Sequence, residues 1–174
     1  MKSRLPLPDV NRLDPPQQAV YQSIMATRGN LSGPFLAWMH SPELASHAEK
    51  LGAFCRYQTG FALVESEMLI LIVAARFRCI GEQQIHEPIA EQAGLSADQI
   101  AAIREQRPVR LATARLEMIH ALAEELLESN RIGDGPYEEG VRELGVRGMV
   151  ELVGIVGYYS LVAMTLNAFD MRMA

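Results

Sequence analysis

Apolar residues recur at the three- and four-residue spacing of an α-helix along almost the whole chain, and Gly or Pro repeatedly interrupts them. No stretch of any length alternates apolar and polar residues as a β-strand requires. The pattern therefore predicts an all-α fold of seven or eight helices, and the last two segments run over 137–144 and from 147 to about 169. The length fits a single domain over residues 1–174, which starts with an extended, Pro-rich arm at 1–15.

Charge and composition exclude several classes of function. The net charge is −5, so no basic field attracts nucleic acid or an anionic membrane. The longest apolar stretch, Leu152 to Leu166, is shorter than the ~20 residues that span a bilayer, and it predicts a buried helix. The first residues contain no apolar signal segment, and the two cysteines form no CxxC pair. We therefore expect a cytoplasmic protein without a membrane or nucleic-acid partner.

One segment concentrates residues that can perform chemistry. Cys79, Glu82 and His86 are spaced i, i+3, i+7, which places them on one face of a continuous helix. A carboxylate four residues before an imidazole can hydrogen-bond it and form an acid–base pair. The same spacing also fits an exposed Glu–His pair beside a core cysteine, so periodicity leaves both interpretations open.

Glu67 can join this group only if the chain reverses direction. It lies 19 residues before His86, and on one straight helix the two would be ~28 Å apart. The segment from Arg76 to Gly81 is the expected place for a reversal, and a turn centred near residue 77 would bring Glu67 level with His86. Otherwise Glu67 is an ordinary carboxylate near a helix N-terminus.

The stretch from Glu65 to Ser96 resembles the carboxymuconolactone decarboxylase and alkylhydroperoxidase D-like superfamily. The shared pattern is a Glu opening an apolar helix, a short turn, a His, and a helix that ends in Gly94-Leu95-Ser96. The tail from Gly145 to Asn167 also resembles the closing helix of that superfamily. The resemblance implies a compact all-α bundle of the alkylhydroperoxidase D-like type.

The resemblance also implies roles for individual residues. Glu67 and His86 fall on the proton-relay positions, and Cys79 falls on the first cysteine of the peroxidase branch. Glu82 occupies the position of the second, peroxide-reactive cysteine, and a carboxylate cannot form a sulfenic acid. The pattern therefore resembles the decarboxylase-like branch more closely, although Gln83 stands where that branch usually has Trp.

We accordingly expect a lyase- or isomerase-type enzyme that acts on a small unsaturated carboxylate or lactone without a cofactor or metal. His86, oriented by Glu67 or Glu82, would protonate the carbon that loses carbon dioxide. Arg76, Arg78 and Tyr159 are the expected substrate-binding residues. Cys79 has a possible redox or pocket role.

Three other functions remain open from the sequence. They are peroxiredoxin-type antioxidant activity, a metal site, and a non-catalytic oligomer that binds a small molecule. A metal site is disfavoured because the segment has one Glu-x-x-x-His and no second copy. The superfamily implies a homotrimer or homohexamer, which agrees with a final helix that is apolar on nearly all sides.

Overall fold

The computed structural model describes residues 2–172 and shows an all-α architecture there. The fold class predicted from the sequence is confirmed, since the described residues contain helices and a single isolated β-bridge. The eight helices are α1 (Pro15–Arg28), α2 (Phe35–Trp38), α3 (Pro42–Tyr57), α4 (Leu63–Arg76), α5 (Ile80–Ala93), α6 (Ala97–Arg104), α7 (Ala114–Ser129) and α8 (Asp134–Ala168).

Helix α4 forms the centre of the bundle. Every residue from Glu65 to Ala75 is buried, and the helix packs against α5, α6, α7 and α8. A helix that is apolar on all sides needs neighbours on all sides, which explains its central position. Polar groups on such a helix lose contact with water, so Glu67, at 1% exposure, must find its partner inside the protein.

A tight reversal joins α4 to α5. Helix α4 ends at Arg76, and Arg78 adopts a left-handed conformation with φ of 51°. The amide of Arg78 donates to the carbonyl of Ala75, and the amide of Cys79 donates to the carbonyl of Ala74. This pair of bonds is the Schellman arrangement that ends many helices. The chain turns back where the sequence predicted, and α5 therefore lies alongside α4.

Helix α8 contains a kink at Gly145. The residue has φ of 71° and ψ of 168°, values that interrupt the helix and divide it into two arms. These arms correspond to the two final helices predicted from the sequence. The first arm begins three residues earlier than the predicted 137, because Gly133 is the N-cap and residues 134–136 already belong to the helix.

Helix α8 is long and apolar enough to cross a membrane by length and composition alone. However, 61% of its 18-residue apolar window is buried inside the protein. This burial is typical of the core helix of a soluble protein. The remaining face is solvent-exposed and still apolar, with Val146, Val150, Val153 and Met164 between 49% and 66% exposed.

The N-terminal arm lies along the end of α8. The amide of Arg4 donates to the carbonyl of Phe169, and Lys2 pairs with Arg172 in the isolated bridge. The arm ends at Asp14, whose side chain caps α1. It is therefore one residue shorter than the predicted range of 1–15. Residue 1 of the predicted arm lies outside the described residues.

Candidate active site

Three buried ionisable side chains meet between α4 and α5. Glu67 extends from α4, whereas Glu82 and His86 lie one turn apart on α5. His86 Nδ1 is 2.7 Å from Glu67 Oε2, and His86 Nε2 is 3.5 Å from Glu82 Oε2. All three residues are less than 5% exposed. The sequence left open which Glu is the partner of His86, and the structure shows that one contacts each ring nitrogen.

The two contacts give the carboxyl groups different properties. The short contact places the imidazole Nδ1–H as donor to Glu67, which leaves Nε2 directed at Glu82. At 3.5 Å the second contact is longer than a good hydrogen bond, and Glu82 Oε2 has no hydrogen-bond partner. Burial raises the pKa of Glu82, although His86 and Arg56 oppose that shift. Glu82 therefore keeps its proton to a higher pH than an ordinary carboxyl group does.

A cavity of about 220 Å³ lies beside the three side chains. Its inner wall contains Glu82, His86 and Tyr159, and the exposed Asn30 and Tyr57 lie at its rim. The other residues that line it are Arg28, Ser32, Gly33, Pro34, Phe35, Arg56, Ile85, Tyr158 and Val162. A carboxyl with a raised pKa, an imidazole and two guanidinium groups thus line one small space.

Tyr159 connects the imidazole to a cation. Its ring meets the ring of His86 edge to face, with centroids 5.6 Å apart and planes at 87°. Its hydroxyl interacts with the guanidinium group of Arg56. Burial raises the pKa of Tyr159, so the phenol stays neutral. Tyr159, which the sequence predicts to bind substrate, lines the cavity beside His86.

The structure places the two arginines predicted to bind substrate elsewhere. Arg76 Nη2 is 3.0 Å from Glu124 Oε2 on α7, and Arg78 is exposed at the turn after α4. Neither residue lines the cavity beside His86. The reason is the reversal itself, which directs the end of α4 away from the middle of α5. The cations that line this cavity are instead Arg28 and Arg56.

Arg28 and Arg56 were missed by sequence reasoning. They occupy the last turns of α1 and α3, where a basic side chain is commonly explained by the helix dipole. Nothing in the spacing of either helix distinguishes them from other terminal arginines. Their meeting at one cavity depends on how α1 and α3 pack, which local sequence does not reveal.

Cys79 lies at the N-cap of α5, close in sequence to the site but outside the cavity lining. The side chain is fully buried, and burial raises the pKa of its thiol to about 11. Burial likewise raises the pKa of Cys55 to about 11. A reactive thiol requires an accessible thiolate, and neither cysteine provides one.

The remaining histidines lie apart from this group. His40 contacts the Pro6 carbonyl at 2.7 Å, and His47 is exposed on α3. Burial lowers the pKa of His120 on α7. Over residues 2–172, no group of three or more His, Cys, Asp or Glu side chains is arranged to hold a metal ion.

Comparison with known proteins shows similarity of structure and not of sequence. The sequence matches no protein-family model and has no significant match to a curated protein. Solved structures match over nearly the full chain. An uncharacterized peroxidase-related protein from Silicibacter sp. TM1040 superposes with a TM-score of 0.79 at 16% identity, covering 98% of this chain and 91% of that one.

Two further solved structures match this chain with similar TM-scores. The alkylhydroperoxidase AhpD core protein from Ralstonia eutropha JMP134, described as peroxidase-related, gives a TM-score of 0.77 at 20% identity, covering 99% and 92% of the two chains. The apo debrominase Bmp8 gives 0.75 at 14% identity, covering 97% and 90%. A Cys-to-Ala variant of that debrominase was crystallised with 2,3,4-tribromopyrrole. These matches confirm the alkylhydroperoxidase D-like fold expected from the sequence, and at these identities they establish the fold alone.

Proposed function

We propose that this chain, which shares the alkylhydroperoxidase D-like fold, is an acid–base enzyme of the carboxymuconolactone decarboxylase type acting on a small unsaturated carboxylate or lactone. The observation that carries the proposal is the arrangement of Glu67, His86 and Glu82 beside a cavity. Glu82 is buried, and its Oε2 has no hydrogen-bond partner. It lies next to the imidazole of His86, which Glu67 holds from the other side. Such an arrangement suits proton delivery to a bound molecule.

The proposed reaction breaks the carbon–carbon bond to the leaving carboxylate. The bonding electrons enter the conjugated system and form a dienolate, and carbon dioxide departs. Glu82 then donates its proton to the carbon, and His86 Nε2 returns a proton taken up from solvent. The net change is the uptake of one proton and the release of one carbon dioxide per turnover.

Each residue has a separate task in this scheme. Glu67 fixes the imidazole by accepting the Nδ1–H, so that Nε2 faces Glu82. Tyr159 packs edge-on against the ring and limits its rotation. Arg56, beside Tyr159, supplies positive charge where the dienolate forms.

Peroxidase activity of the dithiol kind has less support. It needs an accessible thiolate and a resolving thiol, whereas both cysteines are buried with a raised pKa. Peroxidase activity stays an alternative to be measured, because two of the structural neighbours are described as peroxidase-related.

The test is decarboxylation of carboxymuconolactone, followed by ultraviolet absorbance and by release of carbon dioxide. Wild type is compared with Glu82→Gln and with His86→Gln, which keeps an amide donor beside Glu67 but cannot take up and transfer a proton. Glu87→Gln is the matched control, because Glu87 lies on α5 and pairs with Arg104 on the outside. We expect turnover in wild type and the control and a loss of about 10²-fold or more in the two site variants.

Other outcomes discriminate the alternatives. A double-bond shift without carbon dioxide indicates an isomerase that uses the same relay. Hydroperoxide reduction that disappears in Cys79→Ala would instead support the peroxidase alternative and overturn the proposal. Turnover in His86→Gln at the wild-type rate would exclude the relay.

A further inference from the structure

The two arginines at the cavity differ in how their donors are satisfied. Arg56 interacts with Tyr159 and with the carboxyl of Glu82, and none of its donors is both buried and unpartnered. Arg28 Nε and Nη2 are buried, and neither has a hydrogen-bond partner. A buried donor without a partner costs free energy, and a charged one costs more than a neutral one. Arg28 is therefore held in a state that folding alone does not favour.

The unpartnered atoms of Arg28 lie on one edge of the guanidinium group. The Nε–H and the adjacent Nη2–H point in parallel, at the separation of the two oxygens of a carboxylate. The group is oriented by Phe35, whose ring centroid is 4.7 Å from the Arg28 Cζ. Phe35 and Arg28 both line the cavity. The unpartnered edge is thus a planar fork of fixed orientation buried in the wall of a small cavity, so a ligand can meet it only when the side chains that cover it move aside.

Gly52 on α3 leaves room for this arrangement. A Cβ on Gly52 would lie 2.8 Å from Arg28 Nη2 and would overlap the hydroxyl of Tyr158. Both side chains therefore approach the backbone of α3 more closely than any larger residue would allow. The Gly at this position keeps the guanidinium within the cavity wall.

We propose that Arg28 binds a carboxylate group of the substrate through its Nε–Nη2 edge, and so makes the cavity selective for anionic ligands. The inference rests on the proposed function only in taking this cavity as the substrate site. Arg28 is a specificity residue in this scheme, and it replaces Arg76 and Arg78 as the anion-binding residue.

The chemistry also restricts which carboxylate Arg28 binds. Negative charge leaves the reacting carboxylate as carbon dioxide forms, so a cation bound to that group would stabilise the substrate more than the transition state. A carboxylate that keeps its charge throughout can be bound without this penalty. The group on Arg28 is therefore a different one from the group that reacts.

The experiment measures binding and does not depend on turnover. Sorbate, a small unsaturated carboxylate, is titrated into the ¹⁵N-labelled protein and compared with sorbamide, which has the same shape and no charge. We expect saturable binding of sorbate at least about tenfold tighter than that of sorbamide. Arg28→Met should remove this preference, and Arg28→Lys should retain only part of it, because an ammonium group cannot form the fork.

Controls separate the binding role from a structural one. Arg142→Met changes an arginine that is 66% exposed on α8, and it should bind sorbate like wild type. Thermal unfolding of Arg28→Met should show no loss of stability, since the substitution removes buried donors that have no partner.

Each outcome decides the inference. Equal binding of sorbate and sorbamide by wild type, or wild-type sorbate affinity in both Arg28 variants, would overturn it. If carboxymuconolactone is not turned over but sorbate binding still requires Arg28, the proposed reaction fails and the carboxylate site stands. If Arg28→Met turns over carboxymuconolactone with an unchanged KM, the proposed reaction is supported and the carboxylate site at Arg28 is refuted.

Discussion

Glu67 Oε2 lies 2.7 Å from His86 Nδ1, although 19 residues separate the two in the chain. The contact exists because the turn at Arg78 folds α5 back along α4, and because α4 is buried on all sides. A carboxylate in that position has no water to solvate it, so the imidazole N–H is its main stabilising partner. The same contact fixes which imidazole nitrogen faces Glu82.

Glu67→Gln tests the role of Glu67 in catalysis separately from any role in folding. The Gln carbonyl can still accept the Nδ1–H, so we expect a folded protein. Loss of the negative charge removes the stabilisation of a protonated imidazole, and turnover should fall by about 10²- to 10⁴-fold. Steady-state kinetics, with circular dichroism as the folding check, measure the effect. Turnover at the wild-type rate would show that His86 does not work through Glu67.

Stability should depend on pH through Glu82. Burial raises the pKa of this carboxyl in the folded state, so the folded protein binds the proton more tightly than the unfolded chain does. The resulting stabilisation is complete below the ordinary Glu value of about 4.3, and it is lost as the pH rises through the folded value.

The measurement is the free energy of unfolding of wild type minus that of Glu82→Gln, determined by urea denaturation from pH 4 upward. The Gln variant stays neutral, so other titrating groups cancel in the difference. We expect the difference to become less favourable to wild type as the pH rises. A constant or increasing difference would contradict a raised pKa for Glu82.

Neither thiol should react in the folded protein. Burial raises the pKa of Cys55 and of Cys79 to about 11, so the thiolate fraction is very small at neutral pH. Labelling with a disulfide reagent at pH 8 should be slow in native protein and rapid in urea, where both thiols become accessible. Cys79→Ala should keep the activity of wild type. Rapid native labelling of one thiol would restore the redox alternative.

Much of this structure was accessible from local sequence. The sequence predicts a reversal between Arg76 and Gly81 as the condition for Glu67 to meet His86, and the Schellman turn at Arg78 supplies it. The break between the last two helical segments appears as the kink at Gly145. These features depend on residues close together in the chain.

The cavity could not be predicted in the same way. Arg28 and Arg56 reach it because small residues on α3, including Gly52, allow neighbouring helices to approach closely. The larger residues Leu44 and Leu51 of α3 are exposed, and the buried face of this helix consists largely of small residues. Which face of a helix is buried, and what it meets there, is decided by packing between distant segments.

Substitution of Gly52 by Ala tests this close packing. The added methyl group would overlap the Tyr158 hydroxyl and crowd Arg28, and the tyrosine ring has little freedom to move. We expect a loss of stability of about 1–3 kcal/mol, measured by denaturant unfolding. Gly135→Ala is the matched control, because no atom lies within 4 Å of its added methyl group. Its stability should be unchanged or increase by up to about 1 kcal/mol. Equal effects of the two variants would mean that Gly52 is not needed for close approach.

The apolar face of α8 should hold copies of the chain together. Val146, Val150, Val153 and Met164 form an exposed row, and Gly157 on the same helix has open space around it. A large exposed apolar row is rare on a monomer, and Gly permits close approach of another helix. We therefore expect a homotrimer or homohexamer, as the resemblance implied.

Val150→Glu places a charge in the middle of that row and should shift the protein to monomers at micromolar concentration, measured by light scattering after size-exclusion chromatography. Ala26→Glu, at an exposed position on α1, is the control and should keep the oligomer. Circular dichroism should show the same helix content in both variants, because neither position is buried. A wild-type monomer would refute the assembly, whereas a Val150→Glu oligomer of unchanged mass would place the interface on another surface.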